Sequence, residues 1–427
     1  MISKNLNVTL IGAGYVGVVT AACLSPLVQT VTIVEISQDR IDAINSATPP
    51  IYEEGLDTLL KTCVSENLRA TTQYTSIQTS DIIFIAVGTP QNSDGSANLS
   101  YLMAAAETIA DEFAKKHTDY PVIVVKSTVP PGTTKNIVEP IIYKKNPNLS
   151  FGICMNPEFL REGRAVEDFL HPDRIVIGST DTKTREVMHV LYHGIGAPIF
   201  DVDPAAAEMI KYASNAFLAA KISFANEIGN LCKQIGVNVY EVMKGVGMDH
   251  RVSPYFLNAG AGFGGSCFPK DVSALCTVAR EHGLEPTLLS AVLQVNATQP
   301  LRMIDLLEKK IVSLAEKRIA VLGLAFKNNT DDVRESRSIP VIQALIDKGA
   351  MPVLYDPMAG RAMKALFPDA EYAASAESAL MNADGCLVMT EWPEFSKLDH
   401  EFAVMKERVI IDGRHILTID DAEGICW

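Results

Sequence analysis

The chain has 427 residues, room for two or three domains at about 150 residues each. Hydrophobic residues make up 48% and charged residues 21%, which is enough apolar material for real cores and excludes disorder as the dominant state. Lys+Arg total 37 against 51 Asp+Glu; the net charge of −14 argues against a phosphate-tracking nucleic-acid binder. Eight cysteines, Cys23, Cys63, Cys154, Cys232, Cys267, Cys276, Cys386 and Cys426, contain no CxxC pair. That spacing gives no zinc ribbon and no metal site, and it is too sparse for a disulfide scaffold. The expectation is a reduced, cytoplasmic chain in which one thiol is reactive.

In chain order, the first feature is an uncharged stretch between Lys4 and Glu35. Gly12, Gly14, Gly17 and Pro26 interrupt it and polar residues are scattered through it. It therefore reads as a buried strand–turn–helix–strand unit and not as a signal peptide or membrane span. Residues 7–11 read as a strand, 12–17 as a turn opening a helix, and 31–34 as a second strand ending at Glu35. Strands at 82–87, 122–126, near Ile153 and at 174–178, with a helix near 100–116, continue the alternation and predict a parallel, doubly wound sheet. Residues 205–231 then predict one long helix of roughly 28 residues, with Pro204 near its first turn. Such a helix suits a spine joining two domains or a dimer face. A strand–turn at 318–326, a helix at 338–348, a strand at 351–355 ending at Asp356, and strands at 386–389 and 409–411 predict a second, degenerate βαβ unit that retains only Gly323. The fold class is α/β, two Rossmann-like domains joined by a long central helix, divided as 1–200, 201–300 and 301–427.

Gly12-x-Gly14-x-x-Gly17 follows a predicted strand, opens a helix, and precedes Glu35 by 18 residues. That is the context of a dinucleotide site, with the pyrophosphate at a helix N-terminus. The Glu35 carboxylate accepts hydrogen bonds from a ribose diol and repels a 2′-phosphate, which favours NAD over NADP; Arg40 is the counter-argument. Glycines used only for packing are the bland alternative. Residues 262–271, Gly-Phe-Gly-Gly-Ser-Cys-Phe-Pro-Lys-Asp, give a flexible loop whose N–H groups can face a ligand, followed at once by Cys267, Lys270 and Asp271. Cys267 and Asp271 share a face if a helix starts there, and the lysine and loop N–H groups would activate the thiol. Cys23, Cys154 and Cys276 read as buried packing residues.

Other signals are modest. Lys211 and Asn215 are four apart in the long helix, and on spacing alone they read as a solvated face. Glu158 and Glu162 are also four apart and would repel mildly on a shared helix, a cost that a catalytic base would justify. Thr128, in Ser-Thr-Val-Pro-Pro-Gly, and Thr89, in Val-Gly-Thr-Pro, come after strands at the edge where α/β folds bind ligands. Lys327, Arg334 and Arg337 come after the first strand of the second unit and offer cations.

These segments, in this order and over nearly the whole chain, resemble the nucleotide-sugar 6-dehydrogenases of the UDP-glucose/GDP-mannose dehydrogenase family. The resemblance implies a homodimer whose subunits oxidise a sugar CH2OH to a carboxylate with two NAD+, in four electrons. It implies that Cys267 captures the aldehyde as a thiohemiacetal and carries the acid as a thioester. Lys211 would stabilise oxyanion charge and Asp271 would position or deprotonate water. Asn215 and Thr128 would hold the reacting oxygen and a water. Glu162 would act as base or water-holder with Glu158 in support. Phe159, Leu160, Arg161, Phe256, Leu257, Asn258, Ala259, Gly260, Gly264 and Lys327 would contact the sugar nucleotide, and Arg251 that of a neighbouring subunit. Tyr15, Val16, Glu35, Arg40, Thr89, Lys270 and Arg334 would touch NAD, joined by Thr128 and Glu162. Glu35 stands where many members carry Asp, and Arg40 where many carry Lys; both swaps keep charge. Ser266 before the cysteine, where relatives acting on N-acetylhexosamine nucleotides have His, and Phe268 after it, where GDP-mannose enzymes tend to have Leu, favour UDP-glucose. Membrane partners are not expected. A two-electron hydroxyacid dehydrogenase needs neither Cys267 nor residues 318–427, and a silent NAD-dependent scaffold would not keep every candidate residue.

Overall fold

The computed structural model describes residues 3–427. The uncharged N-terminal stretch is β1 (Asn7–Ile11), the helix Tyr15–Leu24 and β2 (Thr30–Val34). Among the described residues no helix is long and apolar enough to cross a membrane. The chain divides into two units, Met1–Ser214 and Asn215–Trp427.

In the first unit β3 (Leu68–Thr71), β4 (Ile82–Ile85), β5 (Val122–Val125), β6 (Gly152–Met155), β7 (Ile175–Gly178) and β8 (Ile199–Val202) complete one sheet. Its order is β3-β2-β1-β4-β5-β6-β7-β8. β4, β5 and β6 are buried along their whole length, as strands covered by helices on both faces must be. Strands β1 to β6 run parallel, as the alternation predicts. β7 does not: it meets β6 antiparallel, through Met155 and Gly178. The intervening chain spends only six residues in a helix, Ala165–Leu170. A parallel return needs a full crossover.

The long helix is Pro204–Ile235, 32 residues and about 48 Å. It exceeds the predicted length because the pattern continues past Leu231 until Gly236 takes φ +72°. The division between units falls within it.

The second unit adds the helices Val239–Gly247, Phe268–Glu281, Thr287–Thr298 and Arg302–Lys310. Its sheet contains β9 (Arg318–Leu322), β10 (Met351–Tyr355), β11 (Glu371–Tyr372), β12 (Gly385–Val388), β13 (Ile410–Asp412) and β14 (Ala422–Gly424). All are parallel, in the order β11-β10-β9-β12-β13-β14. The innermost strands of the two sheets thus share one plan, with the order reversing beside the first strand of each, β1 or β9. Ligands of such sheets bind at that reversal.

Candidate active site

In the first unit, each glycine of the turn after β1 has its own reason. Gly12 has φ +103°, and a Cβ there would lie 2.7 Å from the Ala86 carbonyl oxygen beyond β4. A Cβ on Gly17 would fall on the Gly12 carbonyl. A Cβ on Gly14 would meet no described protein atom within 4 Å. The outer two glycines therefore close the turn against the sheet, and the middle one leaves an open cradle. Gly14 is the N-cap of a helix with no acidic residue in its first turn, and Tyr15 and Val16 open that helix. Its N–H groups and dipole suit an anion. Glu35 is buried beside the turn and accepts from the N–H groups of Ala13 (2.7 Å), Ile36 (2.8 Å) and Ser37 (3.0 Å). Arg40 lies 3.8 Å from Glu35 and is half exposed. The residues present fit a dinucleotide with a free ribose 2′-hydroxyl.

Past β4 and β5, Thr89 donates its hydroxyl to the Thr128 carbonyl at 2.9 Å, joining the two predicted loops. Behind them Ser127 donates to the Val87 carbonyl at 2.7 Å. Glu208 of the long helix is fully buried and accepts from Gly132 N–H and from the Thr134 N–H (2.7 Å) and hydroxyl (2.6 Å). It holds the Thr128 loop to the turn of helix that precedes Lys211.

Residues 157–164 are loop, not helix, so Glu158 and Glu162 do not share a helical face. Nor is Lys211 solvated: it is only 3% exposed. Lys211 meets Glu158 at 2.9 Å. Glu158 also accepts from Leu160 N–H at 2.5 Å. Burial works to raise the Glu158 carboxyl, but Lys211, its hydrogen bond, the Leu160 N–H and Lys126 outweigh it and hold the group below the usual range. The Phe159 ring has Arg174 at 3.6 Å and Lys211 at 5.5 Å, two cations within cation–π reach. Arg161 is bound to Asp168 by three hydrogen bonds, from its backbone N–H at 2.8 Å and its guanidinium at 3.0 and 2.6 Å.

Lys126 carries no sequence signal. It follows β5 directly, is buried, and donates to the Asn156 side-chain oxygen at 2.9 Å. Burial pushes its ammonium down to about 8, against the attraction of Glu158. Asn156 in turn donates to Val176 O and accepts from Tyr192, so the start of the Glu158 loop is fixed on three sides.

In the second unit, Cys267 is the N-cap of Phe268–Glu281. Seven cysteines are buried, Cys23, Cys154 and Cys276 among them, and Cys267 is exposed. Pro269 in the first turn supplies no N–H where none is needed. A helix N-terminus stabilises negative charge, as a thiolate carries. Asp271 N–H bonds the Cys267 carbonyl at 2.9 Å, so the predicted shared face exists. Asp271 is 1% exposed and accepts from the Asn215 amide at 2.6 Å; Lys270 lies 2.5 Å from its other oxygen. Asn215 is therefore buried against a carboxylate and not on a solvated face.

The glycine loop before Cys267 is pinned. Gly262 (φ +101°) and Gly265 (φ +81°) need their left-handed conformations. Asn296 bonds both the N–H (2.7 Å) and the carbonyl (3.0 Å) of Phe263. Gly265 N–H bonds the Arg334 carbonyl at 2.9 Å, and Gly264 lies against the Glu335 carbonyl. Gly260 N–H bonds Asn226 at 2.7 Å, and Tyr240 holds the Ala259 carbonyl at 2.6 Å. Phe256 has φ +63°, and its ring packs against Phe268 with centroids 6.1 Å apart. Leu257 is buried and Asn258 is exposed. Arg251 is exposed and paired with Asp249 at 2.6 Å, Arg334 with Asp332 at 2.6 Å, and Lys327 lies 5.6 Å from the Phe326 ring. The bracing residues Asn226, Asn296 and Tyr240 carry no spacing signal.

Three family models match in chain order. They are the NAD binding domain (residues 6–195), the central domain (205–298) and the UDP binding domain (320–419) of the UDP-glucose/GDP-mannose dehydrogenase family. The chain is 46% identical to UDP-glucose 6-dehydrogenase AglM of Haloferax volcanii, covering 97% of each chain. It is 41% identical to UDP-glucose 6-dehydrogenase TuaD of Bacillus subtilis, covering 98% of this chain and 91% of that one. A UDP-glucose dehydrogenase structure from Pyrobaculum islandicum superposes with a TM-score of 0.95 at 40% identity, covering 100% of this chain and 98% of that one.

Proposed function

Because the chain belongs to the UDP-glucose/GDP-mannose dehydrogenase family, NAD-dependent enzymes acting on nucleotide sugars, we propose that it oxidises UDP-glucose to UDP-glucuronate through a covalent Cys267 adduct. The balance is R–CH2OH + 2 NAD+ + H2O → R–COO− + 2 NADH + 3 H+. NAD+ held at the Gly12–Gly17 turn and by Glu35 supplies the hydride acceptor. The chain's own residues do the rest. Lys211, charge-balanced by Glu158, meets the oxygen on which negative charge grows. The Cys267 sulfur adds to the aldehyde carbon to give a thiohemiacetal, whose oxidation leaves a thioester. Asp271, oriented by Asn215, takes a proton from the water that cleaves it and releases the thiol. Thr128 and Glu162 hold the reacting oxygen and a water. Supporting this most is the exposed thiol at a helix N-terminus one turn from a buried carboxylate.

Each domain has its role. Residues 1–200 bind NAD, 201–300 dimerise, and 301–427 bind the UDP-sugar. The long helix carries exposed Phe217, Phe224 and Leu231 at heptad spacing, with Ile235 beyond. A stripe of that kind suits a protein interface, and we assign it to a second copy in a cytoplasmic homodimer.

The test counts NADH per sugar nucleotide, offering UDP-glucose, GDP-mannose and UDP-N-acetylglucosamine separately. Two NADH per UDP-glucose, with uronate formed, is the expected result; one NADH with released aldehyde overturns the thioester route. Cys267→Ser folds and binds NAD but loses uronate formation by on the order of 10³-fold or more. Light scattering of the intact chain checks the dimer, which Phe224→Glu converts to monomer.

A further inference from the structure

Glu53 is 5% exposed, lies between two helices in a stretch with no sequence signal, and has no part in the chemistry above. One carboxylate oxygen accepts from the Tyr15 hydroxyl and from Gly163 N–H (2.9 Å). The other accepts from Ala165 N–H at 2.6 Å, which caps the helix Ala165–Leu170. Gly163 N–H also reaches the Tyr15 hydroxyl, at 3.0 Å. One buried side chain therefore ties the first residue of the cofactor helix to two backbone amides just past Glu162. Burial first, and then Glu53, push the Tyr15 phenol well above its ordinary range, so it stays a neutral donor. Gly163 has φ +82°, a conformation that sets the direction in which the chain leaves Glu162. Tyr15 and Leu160 also pack on one apolar cluster with Ala165 and Phe169, so the two loops share a core as well as a carboxylate.

We propose that Glu53 is a positioning residue that couples occupancy of the glycine turn to the order of the 160–165 loop. Cofactor placed against Gly14 fixes Tyr15. Tyr15 fixes Glu53, and Glu53 holds the Gly163 and Ala165 amides, so filling the turn steadies the segment that carries Glu162. The role given to Glu162 rests on the function proposed above, whereas the coupling rests only on the hydrogen bonds.

The experiment is hydrogen exchange of the 160–166 segment with and without NADH, which binds without turnover and needs no sugar. In the intact chain NADH slows exchange of the Gly163 and Ala165 amides by about fivefold or more, the low end of ordinary coupling between sites. Tyr15→Phe keeps the ring and its packing but removes the bond to Glu53. At NADH concentrations that saturate the variant, the NADH-dependent slowing is lost. Glu53→Gln gives the same loss, and the double variant is no worse than either single one. A glutamate that served stability alone would raise exchange in both states and leave the NADH-dependent ratio intact. That result in Tyr15→Phe overturns the proposal even if Glu53→Gln fails to fold. Failure of the functional reading appears separately, as no NADH from UDP-glucose in the unsubstituted chain.

Discussion

The two sheets share one plan and differ in the turn after their first strand. In each, a glycine ends that strand in the left-handed region, Gly12 at φ +103° and Gly323 at φ +95°. Each donates its N–H to the last carbonyl of the neighbouring strand, Val34 or Tyr355, at 2.8 Å. Each neighbouring strand runs into an acid, Glu35 or Asp356. After Gly12 the chain enters a helix at Tyr15, and Gly14 stands open. After Gly323 no helix begins until Ser338, and the intervening loop braces the glycine segment before Cys267 through Phe326, Arg334 and Glu335. Asp356 is spent on the N–H groups of Leu324, Ala325, Met358 and Ala359 and on the Trp392 indole. One topology thus serves two ends. A short glycine turn leaves an open cradle at Gly14, and a lengthened turn becomes scaffold for the cysteine.

Alanine at each glycine separates the two turns most strongly. Gly12→Ala and Gly17→Ala drive a Cβ into backbone, and Gly323→Ala drives one to within 2.6 Å of Thr390. Each is expected to destabilise its own unit by about 4 kcal/mol or more, measured by denaturant unfolding. Gly14→Ala has room and folds within about 0.5 kcal/mol of the parent. It is expected to weaken NADH about tenfold by filling the cradle. Parent-like NADH affinity in Gly14→Ala would remove the dinucleotide reading of the first turn.

The next effect belongs to the first unit alone. The buried Lys126 ammonium stands at about 8, below its unfolded value near 10.4. Between those values the unfolded chain binds the extra proton, so this group's contribution to stability rises with pH. Lys126→Met removes it. The stability of the parent relative to the variant should therefore rise by about 2–3 kcal/mol from pH 8 to pH 10.4. A gap that stays flat in denaturant melts across that range would show a lysine with ordinary titration.

Asp356→Asn tests the scaffold side. The amide faces N–H donors that the carboxylate satisfied, and the expected cost is about 2 kcal/mol with NADH affinity unchanged. Weakened NADH binding would mean that the second turn also serves the cofactor.

Much of this was legible in the sequence, because local chemistry dictates it. The Gly12–Gly17 spacing, Glu35 after the second strand, and Cys267 behind a glycine cluster all act within a few residues of themselves. The parts that were not legible depend on contacts distant in sequence. Lys211 and Asn215 read as solvated by their spacing, and only Glu158 and Asp271, each more than fifty residues away, show why they are buried. Glu53, Glu208 and Lys126 are single charged residues in unremarkable company, and burial alone distinguishes them. The reversal at β7 was hidden for the same reason, since an apolar run of four residues carries no direction.

The smallest expected effect concerns Glu35, which, unlike Asp356, keeps bonding capacity for a ligand beside its three backbone partners. Glu35→Asp shortens the side chain by one methylene and draws the carboxylate away from the Ala13 N–H. The charge that repels a 2′-phosphate remains. The loss is about one ordinary hydrogen bond, or about 1 kcal/mol, and so roughly a fivefold rise in the KM for NAD+. NADP+ should stay a poor substrate, because Arg40 is already paired with the carboxylate at 3.8 Å. Glu35→Gln keeps the length but removes the charge, and it should admit NADP+ where the aspartate does not. If both variants discriminate alike, the ribose is chosen by the shape of the turn and not by the charge of the acid at the end of β2.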